Sequence, residues 1–224
     1  MTSELKMAEM LCTRLCHDLT GPIGAVNNGA EFLQEEGFEM QHEAMQLILS
    51  SAGEAVNRLQ FYRQAYGRQN EHGEASLSEQ KQLVQAFFAN TKIQVDWPDS
   101  HTDASSVSIS QRMARLILNL LIISSGVLLK GGNIAIRLNE SDAKRTVSLR
   151  ASGEMVRMDP DVLRILTREA VLNQLSPKTA QLALTLTLAD ELQAKLHFHL
   201  GESQLEITVE QVVVAANEPE HSFA

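Results

Sequence analysis

The sequence predicts an α+β protein in two parts: an N-terminal helical hairpin that pairs with a second copy into a dimeric four-helix bundle, and a C-terminal α/β sandwich. Three observations carry this. Apolar residues recur at helical spacing up to Tyr66 with one short break. The segment "GRQNEHGEAS", residues 67–76, is polar and glycine-containing and separates stretches of different character. Beyond it helices are interspersed with hairpins but not in strict βαβ order, which selects one layer of helices on one mixed sheet. The parts are 1–68 for the hairpin, 69–76 for a linker, 77–216 for the sandwich and 217–224, "NEPEHSFA", for a loose tail.

The first helix reads from about Ser3 to Glu35, and "EEGFEM" around Gly37 breaks it before a second begins near Gln41. In the second, Met45, Ile48, Ala52, Ala55, Leu59, Tyr62 and Tyr66 alternate steps of three and four, a coiled-coil-like seam that Leu49 and Val56 widen. A lone hairpin would leave part of so wide a stripe exposed, and pairing two hairpins covers it. In the sandwich, "SEQKQLVQAFF" reads as a short helix and "TKIQVDWP" as a strand ended by Pro98. "SISQRMARLILNLLIISSGVLLKGG" reads as a long apolar helix closed by Gly131 and Gly132. "NIAIRL" and "TVSLRASG" flank the polar turn "NESDAKR" as a hairpin. Ser176-Pro177 opens a further helix, and "KLHFHL" with "LEITVEQVVV" makes a second hairpin across "GESQ".

Composition narrows the function classes. With 19 Lys and Arg against 28 Asp and Glu, the net charge of -9 argues against a generic nucleic-acid binder. There is no long apolar run, and "MTSELKMAEM" lacks the layout of a secretion signal, so a cytoplasmic protein without membrane attachment is expected. Cys12 and Cys16 are expected as small reduced residues packed in the fold, because no second ligand cluster accompanies them at zinc-finger spacing. His197 and His199 share one side of a strand, but no acidic partner is evident beside them, so a surface or sheet-packing role is expected. Local positive charge for an acidic partner comes from Arg14, Arg58, Arg63 and Arg68.

The candidate for chemistry is His17. A helical residue turns by about 100°, so Gly21, Gly24, Asn28 and Glu35 return to its face. Leu15, Leu19, Val26 and Leu33 lie opposite and fill the bundle core with Pro22 and Ala30. His17 then points to solvent above small and polar residues. Each glycine on that face costs the helix roughly 1 kcal/mol relative to alanine, and Pro22 removes a backbone hydrogen bond. Such costs are tolerated where function needs them. Neutral imidazole is a good nucleophile near neutral pH. Asp18 beside it can orient the ring, accept a proton, or remain a solvated carboxylate.

"HDLTGP" in a helical hairpin resembles the His-Asp/Glu-x-x-x-Pro motif of dimeric histidine kinases. The longer "RLCHDLTGPIGAVNNGAEFL" resembles the first helix of the ChpT-type histidine phosphotransferases of alphaproteobacteria. The resemblance implies a homodimer whose C-terminal domain is shaped like a degenerate histidine kinase ATP-binding domain. It implies phosphoryl transfer through His17, from the receiver of a CckA-like hybrid kinase to CtrA-like and CpdR-like response regulators. No cofactor is expected on this chain, since magnesium would sit on the partner receiver. Arg14, Gly21, Gly24 and Asn28 are the candidate docking residues.

The kinase nucleotide motifs can be checked against the chain. Asn-x-x-x-Asn-Ala begins at Asn119, but Ile123 and Ser124 stand where Asn-Ala would be. Where Asp-x-Gly-x-Gly is required, "RASGEM" offers Ala151, Ser152 and one Gly153. No Gly-x-Gly-x-Gly lid precedes the helix after Ser176, so no loop of backbone amides is expected to cradle phosphates. Asn119 is therefore expected to be satisfied by a local hydrogen bond. Two rival readings stand beside phosphotransfer: an ATP-dependent kinase, against which the missing motifs weigh, and a dimeric non-catalytic adaptor or pseudokinase.

Overall fold

The computed structural model describes residues 3–34, 38–67, 73–97, 109–141, 144–169 and 176–212. Helices α1 (Ser3–Phe32) and α2 (Phe38–Tyr66) form an antiparallel hairpin. The break expected around Gly37 falls on 35–37, outside the described residues. Glycine sets how closely the helices approach: a Cβ on Gly29 would lie 2.7 Å from Ile48 Cγ1 and 3.1 Å from the Ala44 carbonyl oxygen.

Burial divides the apolar residues of α2 into two stripes one residue apart. Ala44, Ser51 and Tyr62 are buried, with Ile48 and Ala55 half-buried, on the side that meets α1. Met45, Leu49, Val56 and Leu59 are between 46% and 61% exposed. In α1 and the turn just after it, Cys12, Cys16, Leu19, Ile23, Val26, Ala30 and Leu33 follow one another by steps of four and three and are exposed or half-buried. Each outer stripe lies about 100° round its helix from the inner one. Because the helices are antiparallel, both outer stripes land on the same side of the hairpin.

The single seam expected from Met45 to Tyr66 is corrected by this division: Ile48, Ala55 and Tyr62 turn inward, Met45 and Leu59 outward. Cys12 and Cys16, expected to be packed, are free and exposed, because they sit on the outer stripe. Ala30 is exposed for the same reason, and Leu15 packs on the sandwich core, while Pro22 is buried as expected.

The sandwich contains β1 (Glu74–Ala75), α3 (Leu77–Phe88), β2 (Ile93–Asp96), β3 (Ile109–Ser110), α4 (Gln111–Val127), β4 (Gly132–Ser141), β5 (Lys144–Ser152), α5 (Pro160–Leu166), α6 (Pro177–Glu191), β6 (Lys195–Leu200) and β7 (Gln204–Val212). The main sheet runs β2-β4-β5-β7-β6, with β2 parallel to β4 and the other pairs antiparallel. Register aligns Ile136, Leu149, Ile207 and Phe198 across four strands on the helix-facing side. Arg150, Glu206 and His199 align on the outer side. This is the α+β architecture that the alternation of helices and hairpins predicts.

Helix α4 is apolar nearly all round, and it is buried nearly all round: it touches β4 and β5 on one side and α2 and α6 on others. It ends at Val127 rather than at the expected Gly131 and Gly132. Those glycines, at φ of 89° and 152°, make the turn into β4, where the backbone passes Lys92 and Ser152 too closely for any Cβ. Apolar Leu128 and Leu129 had prolonged the periodic pattern beyond the helix. The sequence reading also lacked β1, β3 and α5, of two, two and seven residues, which are too short to show a period. β1, which pairs with the distant β3, lies in the stretch read as linker, whose residues 69–72 are outside the described set. Pro98 and the tail 217–224 also lie outside it.

The hairpin is docked on the sandwich. Met7, Leu11 and Leu15 of α1 pack on the main core. The last carbonyls of α2 would otherwise lack partners, and α4 supplies them. Arg115 donates to Ala65 O at 3.2 Å and to Tyr66 O at 2.9 Å, and Asn119 donates to Ala65 O at 2.8 Å.

Candidate functional site

Pro22 shapes the site through the hydrogen bond it cannot donate. The carbonyl of Asp18, four residues earlier, is left without its helical partner, and Arg58 Nη1 donates to it from α2 at 2.9 Å. Arg58 is held in turn by Glu54, whose Oε1 accepts from Nε at 2.9 Å and from Nη2 at 2.6 Å. The backbone of Asp18 is thus tied to the second helix.

Its carboxylate is tied there as well. Tyr62, one turn beyond Arg58, donates its hydroxyl to Asp18 Oδ2 at 2.5 Å, and Arg14 Nε lies 3.8 Å from the same oxygen. Burial, then the hydrogen bond and charge of Asp18, push the Tyr62 phenol well above its ordinary value, so it remains a donor. Asp18 Oδ1 faces His17 Nδ1 at 3.2 Å. With Nδ1–H donating to the carboxylate, the lone pair of the ring sits on Nε2. The His17 side chain is 87% exposed, so a group carried on another protein can approach Nε2.

The floor beside His17 is bare. A Cβ on Gly21 or Gly24 would meet nothing within 4 Å, so neither glycine is required by packing in the protomer. Thr20 turns its hydroxyl back to Cys16 O at 2.8 Å. Asn28 is exposed further along. Arg14 is the exception among the candidate docking residues: it is half-buried and lines a cavity of about 130 Å³ with Ile122, Ile123, Val162 and Leu182. The sequence reading placed His17 and Asp18 together but did not bring Tyr62 or Glu54 to the site, and named Arg58 only as a source of charge. The available signal was polar groups at 54, 58 and 62, each a turn apart on one face of α2.

A second polar cluster lies below, at the junction of hairpin and sandwich. Asn119, fully buried, donates to Ala65 O and Arg115 O at 2.8 Å each and accepts from Gln181 Nε2 at 2.6 Å. Gln181 Oε1 accepts from the Tyr66 hydroxyl at 2.6 Å. Burial pushes the Tyr66 phenol up to about 12. The local hydrogen bond expected for Asn119, to Arg115 O, is present, together with two long-range ones. Ile123 joins Val162, Leu166 and Leu182 in a small apolar cluster between α4, α5 and α6.

Elsewhere, His197 and His199 are exposed on the outer sheet face, and His197 Nε2 does have an acidic neighbour, Glu210 Oε2 at 3.6 Å. Glu210 lies thirteen residues on, across the β6–β7 hairpin, so the pairing register rather than sequence adjacency brings it beside His197. Among the described residues, no group of three or more His, Cys, Asp or Glu side chains is gathered to hold a metal ion. No helix among them is long and apolar enough to cross a membrane.

Residues 77–204 match the family described as histidine phosphotransferase C-terminal domain. Protein phosphotransferase ChpT of Brucella abortus (strain 2308) is 33% identical over 215 residues, 96% of each chain. A bacterial phosphotransferase of known structure is 32% identical and superimposes with a TM-score of 0.79, over 93% of this chain and 98% of that one. Full-length ShkA in complex with AMPPNP is 16% identical, with a TM-score of 0.49 over 93% of this chain and 46% of its own. The first three matches, one spanning the sandwich and two nearly the whole chain, place the protein in the ChpT-like family of histidine phosphotransferases.

Proposed function

We propose that His17 is the phosphoryl acceptor and donor of a bacterial phosphorelay. It takes the group from the aspartyl phosphate of a hybrid-kinase receiver and passes it to the receiver aspartate of a response regulator. The observation that carries this reading is an exposed imidazole whose Nδ1 is engaged by a carboxylate anchored from the neighbouring helix. In the forward step the Nε2 lone pair attacks phosphorus. The P–O bond of the acyl phosphate breaks, and its electron pair returns to the receiver carboxylate. The ring gains positive charge, which the Asp18 carboxylate stabilises through Nδ1–H. The reverse step delivers the group to the next aspartate, and transfer of this kind needs positioning more than covalent machinery.

The chain works without ATP. The buried, hydrogen-bonded state of Asn119 and the apolar filling around Ile123 support this, because both stand where a kinase would turn polar groups toward a nucleotide. Magnesium is held by the receiver beside its own aspartate. The outer apolar stripes of α1 and α2 join those of a second copy, giving a homodimeric four-helix bundle that leaves His17 on the opposite side of each hairpin. The protein is cytoplasmic and does not bind nucleic acid. The donor is CckA-like, the recipients CtrA-like and CpdR-like, and they dock over Gly21, Gly24 and Asn28 beside Arg14.

The test is transfer from a phosphorylated receiver domain, run beside an ATP-only reaction and a His17→Ala control. Acid-labile, base-stable label that requires both the receiver and His17 is expected, with the thermal stability of the variant unchanged because the side chain is exposed. Label from ATP alone would restore the kinase reading. Dimerisation with no label from any receiver would leave a non-catalytic adaptor.

A further inference from the structure

The arrangement around Asp18 raises the question of what holds its carboxylate against His17. Arg58 fixes the backbone at this residue, leaving two side-chain torsions free. Two groups compete for Oδ2, the Tyr62 hydroxyl at 2.5 Å and the Arg14 guanidinium at 3.8 Å. Rotation towards Arg14 would draw Oδ1 away from the imidazole. Among the described residues, Tyr62 is the group other than His17 within hydrogen-bond distance of that carboxylate, since Arg14 at 3.8 Å is too far to donate. Tyr62 is itself immobilised, buried to 3% exposure and stacked on Tyr66 with ring centres 5.1 Å apart.

We propose that Tyr62 is a positioning residue for His17: its hydroxyl, acting through Asp18, keeps the ring proton on Nδ1 and leaves Nε2 as the free nucleophile. In water a neutral imidazole carries its proton mostly on Nε2, the tautomer that cannot attack through that atom, and a carboxylate at Nδ1 reverses the preference. Loss of the Tyr62 hydroxyl therefore lowers the reactive fraction without removing any group that a partner touches. The consequence for transfer rests on the phosphoacceptor reading of His17, whereas the consequence for the tautomer does not.

The experiment uses the full chain labelled with [15N]histidine, at a pH above the imidazole titration. The His17 signals are identified by their loss in His17→Asn. Wild type is expected to show Nδ1 protonated. Tyr62→Phe, which keeps the ring, is expected to move the population toward Nε2–H and to slow single-turnover transfer from a phosphorylated receiver about tenfold, with receiver affinity unchanged. Tyr66→Phe removes the neighbouring hydroxyl, which bonds Gln181 instead of Asp18, and is expected to change neither quantity. In an Asp18→Asn background, Tyr62→Phe should have no further effect on tautomer or rate, a result that general loosening of the hairpin would not give.

An unmoved tautomer in Tyr62→Phe, an unmoved rate in a wild type that does transfer, or equal effects in the Asp18→Asn background would overturn the assignment alone. A wild type that accepts no phosphoryl from any receiver would overturn the phosphotransfer reading, and the role in transfer with it.

Discussion

The polar clusters around His17 and around Asn119 are built from similar parts and finish differently. Each takes a motif residue on a long helix and binds it to the C-terminal half of α2: Asp18 to Arg58 and Tyr62, Asn119 to Ala65 and, through Gln181, to Tyr66. At Asn119 the bonds close on one another, and the result is a joint between hairpin and sandwich. At Asp18 they run outward and stop at a ring whose second nitrogen faces solvent. A buried polar network that is fully satisfied gives rigidity. The same kind of network, ended at the surface, leaves an imidazole held on one side and open to solvent on the other.

Breaking the closed cluster should cost the most. Asn119→Leu leaves the Gln181 amide without its acceptor and removes one of the donors to Ala65 O. A loss of about 2–4 kcal/mol in urea unfolding is expected, with transfer at His17 retained wherever the variant is folded. If transfer fell in parallel, the clusters would be coupled through α2 and the contrast between them would fail.

The glycines of α1 sharpen the contrast next. Gly29→Ala drives a methyl into Ile48 and should destabilise by about 1–3 kcal/mol. Gly24→Ala meets nothing in the protomer and should stabilise by up to about 1 kcal/mol, yet slow transfer by intruding on the docking floor. Thermal melts paired with transfer rates check both, and a Gly24→Ala variant at wild-type rate would remove Gly24 from that floor.

The smallest effect concerns pH. The Tyr66 phenol is raised from 10.0 to about 12 in the folded chain. Between those values the unfolded chain gives up this proton while the folded chain keeps it, so its contribution, complete below 10, is lost as pH rises toward 12. Tyr66→Phe should flatten the fall in stability over that window, measured by urea unfolding at a series of alkaline pH values.

Much of this contrast was legible in the residues. The cost of Gly21, Gly24 and Pro22 in a helix drew attention to His17, and the side they occupy followed from helical geometry. The absence of Asn-Ala at 123–124 foretold a different role for Asn119. The sheet, with its two antiparallel hairpins, followed from alternating strands and polar turns. The identity of the anchors was not legible. Tyr62 looked like one more member of a seam, because two stripes one residue apart merge into a single wide band when only periodicity is read. Which stripe meets α1 depends on how near the backbones come at Gly29, a matter of shape rather than of pattern. Arg58 answers a vacancy that a proline thirty-six positions away creates at the Asp18 carbonyl, forty positions away, and no local window contains both.

That last pairing bears on how the site comes into being. The Asp18 carbonyl has only water as a donor while α1 forms alone, so the stretch around Pro22 gains its protein partner only after a contact of long sequence separation has closed. His17 is present from the start of synthesis, but its supporting carboxylate is held only when residues 58 and 62 have arrived. A nascent or partly folded chain thus displays the histidine before the carboxylate beside it is anchored to the second helix.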